Sequence, residues 1–416
     1  MNRIIMTMTA VCASATAFAV APRAANATFS QDQSSRKVEI SYDLLDAPAI
    51  VTIDIQTNAG NSAWISVGGE HFTSVWGDIN QMVQPGSGRK AYWRPYRDLP
   101  GLDFRDGEIR AVVTAWSTNM PPPYMCVDLS AKSKVKYYAS ASCVPGGITN
   151  DIYKLTKMLL RKIPAAGQTF RVGSPVNEAD REGDGRENAH VATLTEDFYI
   201  GVYEVTQEQY RQVTGETHTE AENSGPKQPV NRVNPDMLVG ANCPFPANET
   251  VTSGSFFGKL RTWTSVDGFF LPTGAQWCFA ARAGSELRYY WGNDKSLADD
   301  YCWHSGNCKL PGESKNHSHD VGTRLPNAYG LYDVVGNVEE IVADWYVYYA
   351  GNEYDVDPKG PATAQRTSGG ASAREVCGAS FNRPNSLNSH NFTGGVGVNA
   401  DVFTVGFRVK CAAIGY

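Results

Sequence analysis

"GLYDVVGNVEEIVADWY", residues 330–346, sets a Gly-Asn turn between apolar residues and follows it with two adjacent carboxylates and an Asp-Trp pair. A segment built this way holds a metal, serves a reaction, or fixes a turn. Proton transfer needs carboxylates that are positioned, and adjacency of Glu339 and Glu340 does not position them. Elements on either side set the fold class. "TGAQWCFAARAG" predicts a helix capped at Thr273 and closed by Gly284, and "TQEQYRQVTG" a second one capped at Thr206. "DFYIGVYEV", "GFFLP" and "TVGFRVKCA" read as strands among long irregular stretches. Two helices, few strands and much loop describe an α+β unit. No βαβ alternation, Gly-rich phosphate loop or Walker lysine points to nucleotide chemistry.

The preceding sequence has a different style. "VEISYDLLDAPAIVTIDIQT" alternates apolar and polar residues, and "IRAVVTAW" and "VKYYASAS" repeat the pattern between turns, which predicts an immunoglobulin- or fibronectin-like β-sandwich over 37–148. Gly146-Gly147 marks its end. Neither His71 nor the tryptophans of this unit form a chemical constellation. Ahead of it, "MNRIIMTMTAVCASATAFAVAPRAANA" has a short basic start, an apolar stretch too short to span a bilayer, and small-residue sites at Ala17-Phe18-Ala19 and Ala25-Asn26-Ala27. Residues 1–27 are read as a signal peptide. The 416-residue chain is therefore expected to be exported (periplasmic, cell-surface or secreted), as two folded units.

A formal charge of −6 without a long basic run excludes an electrostatic footprint for nucleic acid or an anionic membrane, and no later segment suits membrane insertion. In an exported chain, the even set Cys126, Cys143, Cys243, Cys278, Cys302, Cys308, Cys377 and Cys411 predicts disulfides. Cys126 with Cys143 would lie within one unit, and Cys302 with Cys308 would close a short loop. Cys278, inside a helix, reads as a buried thiol. The run His317-Ser318-His319-Asp320 reads as a polar surface loop without a second ligand cluster.

Several segments, in order, resemble the sulfatase-modifying factor family, whose founding activity is the formylglycine-generating enzyme. "IPAAGQTFRVGSP", "FYIGVYEVTQEQYRQVTG", "QPVNRVNPDM", "FLPTGAQWCFAARAG", "YYWGND", "NAYGLYDVVGNVEEIVADWY" and "EVCGASFN … VGFRV" follow its motifs from roughly 160 to 411. The resemblance implies a C-type-lectin-like, loop-rich domain over 155–416 with a surface cleft near the C-terminal motif. It also implies a calcium ion near the opening stretch, with Asn337 and Glu340 as oxygen ligands. In this chain Glu339 and Ile341 replace the two tryptophans of that motif. The family's oxidase binds copper(I) through two cysteines after its Gly-Gly-Ser-aromatic motif. Here Gly378-Ala379-Ser380-Phe381 is followed by Arg383 and Asn388 where the thiolates would stand, which argues against copper.

Two uses of the domain remain at this stage. An oxidase acting on protein cysteine would have to employ Ser380, Cys377 and Cys411, although an exported pair flanking a long loop reads as a disulfide. A non-catalytic binding or scaffold module would use the loop from Ser380 to Val402, where Asn382, Arg383, Asn385, Asn388, His390, Asn391 and Asn399 offer amide, imidazole and guanidinium groups to an unknown protein or glycan ligand. That loop also looks like the variable region of lectin-fold proteins diversified by retroelements. The binding module is the preferred expectation.

Overall fold

The computed structural model describes residues 6–7, 20–58, 63–101, 108–132, 135–175, 189–218, 224–309, 312, 314–346, 354–364, 372–382 and 392–413. The chain divides into two compact units. One comprises residues 1–126 and 135–150, the other 127–134 and 151–415.

The first unit is the expected sandwich. One sheet joins β1 (Arg23–Gln31), β2 (Val38–Leu45) and β6 (Gly86–Trp93), with β4 (Val75–Gly77) at its edge; the other centres on β3 (Ala49–Thr57), which pairs with β5 (Gln81–Val83) and β7 (Ile109–Trp116). Along β2 every second residue is buried and its neighbours are half-buried, as period-two patterning requires. Ile40, Tyr42 and Leu44 meet Val51, Ile53, Ala111 and Val113 in one apolar core. Asp46, with φ 76°, turns the chain between β2 and β3. The sandwich starts ahead of the boundary expected at residue 37: Arg23–Gln31 belongs to it, and the two-residue strand Met6–Thr7 pairs antiparallel with Phe29 and Thr28 at the edge of the same sheet. β1 pairs with β2 along its length, and Ala24, Ala27 and Phe29 lie in the core.

The second unit is α+β. One sheet places β8 (Lys157–Ile163), β9 (Phe198–Gly201), β15 (Lys410–Ala412) and β10 (Phe269–Phe270) side by side. Another runs in the order β13 (Phe392–Gly397), β12 (Ala373–Cys377), β11 (Glu339–Trp345) and β14 (Val405–Phe407). "TVGFRVKCA" thus supplies two strands, one to each sheet. Helices α1 (Gln207–Thr214) and α4 (Gly274–Arg282) start at Thr206 and Thr273, each with a reciprocal capping box to the Gln three residues on. The left-handed residue ending α4 is Ala283, with Gly284 next. Helices not expected from the sequence include α2 (Pro235–Val239) and α3 (Phe256–Thr264), capped by Asn234 and Ser255, and the single turns Ile152–Leu155 and Ala298–Tyr301. The apolar face of α4 packs Trp277 and Ala281 against Leu331, Val334 and Val342. Among the described residues no helix is long and apolar enough to cross a membrane.

Candidate functional site

The opening stretch lies at the centre of the second unit and is almost wholly buried. Gly336 takes φ +86°, and a Cβ there would stand 2.3 Å from the Trp303 carbonyl oxygen, so only glycine fits. Asn337 follows at φ 56°, fully buried. Its Oδ1 accepts from the His319 backbone N–H at 2.9 Å, and its Nδ2 donates to Glu204 Oε2 at 2.7 Å. The other Glu204 oxygen accepts from the Val338 N–H at 3.0 Å. Glu340 receives Arg408 Nη2 at 2.8 Å, Arg408 Nε at 3.1 Å to both oxygens, and Trp277 Nε1 at 2.7 Å. Arg408, itself fully buried, also donates to the carbonyls of Gly201 at 2.9 Å and Tyr332 at 2.7 Å.

One guanidinium thus ties together strand β11, strand β9 and the segment before the turn. Around it the interior is rich in carboxylates. Burial, followed by the charges of Asp333 and Glu340, pushes the Glu204 carboxyl well above its ordinary range. Burial raises Asp333 to about 6 and Asp344 to about 7, the latter although its Oδ2 accepts the Gly274 N–H at 2.8 Å.

Asn337 and Glu340 do not suit the calcium ion that the family resemblance implies. Both Glu340 oxygens already accept N–H groups, and a cation placed there would have to displace a guanidinium that has no route to water. The Asn337 amide oxygen is taken by His319. Among the described residues no group of three or more His, Cys, Asp or Glu is arranged to hold a metal. His319, expected on a surface loop, is instead buried and stacked 3.7 Å from the Trp303 ring.

The eight cysteines from Cys126 to Cys411 are thiols, not disulfides. Cys377 ends β12, opposite Glu340 and Phe392, whereas Cys411 lies in the other sheet opposite Tyr199 and Phe269, so the expected bridge between them does not form. Cys302 donates to the Ala298 carbonyl and Cys308 to that of Phe381, which turns these two thiols to different partners. Burial raises the Cys377 thiol well above its ordinary value and the Cys411 thiol to about 12. Ser380 is fully buried, and its Oγ has no hydrogen-bond partner among the described residues. No group of this set is an exposed, ionised nucleophile.

The C-terminal loop leaves β12 and returns through β13. Asn382 and Asn399 are exposed at its two ends, while Arg383, Asn385, Asn388, His390 and Asn391 lie outside the described residues. Beside this hairpin opens a cavity of about 270 Å³ lined by Asp236, Asn242, Cys243, Trp345, Ser372 and Arg374. A second, of about 410 Å³, shares Asp236, Gly240 and Ala241 with it and extends past Thr252 to Lys259. Together they form a trough along α2. The Asp236 N–H donates to the Val398 carbonyl at 3.0 Å, and the Val398 N–H to that of Ser372 at 3.3 Å, tying the trough to the base of the loop. Arg374 stacks 3.4 Å from the Trp345 ring and donates to the Ala343 carbonyl at 2.6 Å; burial lowers it to about 10. Burial raises the Asp236 carboxyl, opposed by Arg374. From the sequence, Cys243 stood out only as a disulfide candidate and Trp345 only within the opening stretch, while Asp236, Asn242, Ser372 and Arg374 did not stand out. Asn234-Pro235, a helix start, was the one available signal.

Residues 158–413 match the model of the sulfatase-modifying factor enzyme 1-like domain. The chain belongs to this family. Among relatives of the family, the formylglycine-generating enzyme of Mus musculus is 25% identical over 305 residues, which cover 64% of this chain and 80% of the mouse protein. That of Thermomonospora curvata is 36% identical over 122 residues, 26% of this chain and 39% of that one. A chaperone protein, LppX, of Paenibacillus barcinonensis is 27% identical over 179 residues; the match covers 36% of this chain and 63% of the chaperone. Among solved structures, variable protein 1 of Treponema denticola aligns with a TM-score of 0.47 at 21% identity, over 62% of this chain and 96% of that one.

Proposed function

We propose that this chain is an exported, non-catalytic member of the family, in which the trough along α2 and the Ser380–Val402 loop together bind a protein or glycan ligand. The observation that carries this reading is a separation of chemistry from access. Ser380, Cys377 and Cys411 are buried, with both thiols held protonated, whereas the open surface carries the carboxylate, amide and hydroxyl of Asp236, Asn242 and Ser372 beside Trp345. Such groups exchange hydrogen bonds with sugar hydroxyls or peptide amides without a strong net charge, and a partly buried aromatic ring supplies a stacking face. An oxidase of the family's founding type needs accessible soft thiolates, and no cysteine occurs between Gly378 and Lys410. The binding reading requires neither copper nor calcium.

A glycan and peptide array tests it, with Asn242→Trp to fill the trough and an Asn382/Asn385/Asn388 triple alanine variant to blank the loop. Both variants are expected to lose at least tenfold in affinity for whatever the unaltered chain captures. Full retention by both would refute the surface. Conversion of a cysteine-containing sulfatase peptide to its aldehyde, with copper(I) and oxygen supplied, would replace the binding reading with the oxidase.

A further inference from the structure

Strand β1 of the sandwich starts inside the stretch expected to be the leader and runs past its end, and this decides between the two small-residue sites of that stretch. β1 pairs with β2 from Arg23 opposite Leu45 to Gln31 opposite Val38, with an irregularity between Ala25 and Thr28. At that irregularity Asn26 adopts φ 50° and its Nδ2 donates to Asp43 Oδ2 at 2.7 Å. Ala24, Ala27 and Phe29 are 5%, 4% and 5% exposed, within the same core as Ile40 and Trp93. A break after Ala27 would remove Arg23–Ala27 from the ladder, take two side chains out of the core and leave the outer part of β2 unpaired. A break after Ala19 removes no residue of β1 and takes away only the two-residue edge strand Met6–Thr7, which pairs with Phe29 and Thr28. Val20, 70% exposed, with Ala21 and Pro22 gives a short spacer before the strand, and Ala17-Phe18-Ala19 presents small side chains at the first and third positions before the bond.

We propose that a signal peptidase of the small-x-small type hydrolyses the Ala19–Val20 bond, so that the mature chain starts Val20-Ala21-Pro22 and keeps all of β1. Water adds across the peptide bond, leaving a carboxylate on Ala19 and an ammonium on Val20. This deepens the export reading and rests on it.

The test is expression of the full chain, with its own first 27 residues, in a bacterium competent for export, followed by intact mass and N-terminal sequencing of the exported fraction. The expected N-terminus is Val20. Ala19→Arg should accumulate unprocessed precursor, whereas Ala25→Lys should leave the cut unchanged. A mature N-terminus at Thr28 would overturn the inference while leaving export intact. Unprocessed protein retained in the cytoplasm would overturn both. As a second readout, chains made directly from Val20 and from Thr28 can be compared by thermal melting, with the shorter expected to melt roughly 5 °C or more lower. Equal melting temperatures would remove the ground on which Ala19 is preferred.

Discussion

The two units of this chain fill their interiors in opposite ways. The sandwich is ordered by apolar area: alternate residues of β2 face a core of Ile, Leu, Val, Tyr and Trp. Its notable carboxylate, Asp98, sits at the margin, where it accepts from Thr73, Ser74 and the Trp93 indole. The second unit instead buries Glu204, Asp333, Glu339, Glu340, Asp344 and Glu375 with Arg374 and Arg408. Apolar cores tolerate repacking because one methyl substitutes for another. A buried carboxylate accepts no such exchange, since removing its partner leaves an uncompensated charge.

The largest expected effect falls on the second kind of interior. Arg408→Met strands Glu340 and the carbonyls of Gly201 and Tyr332, and should destabilise the second unit by about 3–5 kcal/mol in urea titration. A loss below about 1 kcal/mol would dissolve the contrast between the units.

Next comes pH, where the units should move in opposite directions. Asp344 and Asp333 are raised in the folded state, to about 7 and about 6, so their contribution to stability is fully present below the unfolded value near 3.8 and is lost as pH rises through 6–7. Between pH 8 and 5 the second unit should therefore gain stability, on the order of a few kcal/mol, and Asp344→Asn should flatten most of that slope. In the sandwich, partial burial works against the ionised form of Asp98, but hydrogen bonds from Thr73, Ser74 and Trp93 outweigh it and hold the carboxyl below its ordinary value. Its contribution is present above about pH 4 and disappears as pH falls further. Calorimetric scans across pH 3–8 that shift both transitions the same way throughout would contradict this assignment.

A smaller effect sharpens the other half of the comparison. Ile40→Val, in the apolar core, should lower sandwich stability by only about 0.5–1.5 kcal/mol and leave the second unit's transition unmoved. The smallest effect is none: saturating calcium or a chelator should leave the melting temperature of the whole chain unchanged, because Arg408 and Trp277 already occupy the Glu340 oxygens.

Legibility in the sequence follows the same division. β2, β3 and β7 were readable because period two is a local property, and α1 and α4 because a Thr followed by a Gln three residues later is a local capping signal. Helix α3 was not read, since "FFGKLRTWT" is apolar at its start and its cap, Ser255, lacks that reciprocal partner. The motif residues Asn337 and Glu340 stood out in the sequence as calcium ligands, whereas the partners they have in the structure, Glu204, His319 and Arg408, are distant in the chain and carry no spacing rule. The trough is legible in neither way: Asp236, Ser372 and Arg374 come together only when α2 packs beside β12.

Arg408 has a consequence for how the chain is made. Its bond to the Gly201 carbonyl spans 207 residues. At roughly 5–20 residues per second on the ribosome, β9 and the Glu204 carboxylate next to it wait about 10–40 s for the guanidinium that completes their surroundings. The sandwich, whose strands close by residue 116, has every partner of its core in hand long before then. Synthesis therefore completes the strands of the sandwich first, and the acidic interior of the second unit gains its guanidinium only when the segment joining β14 to β15 emerges.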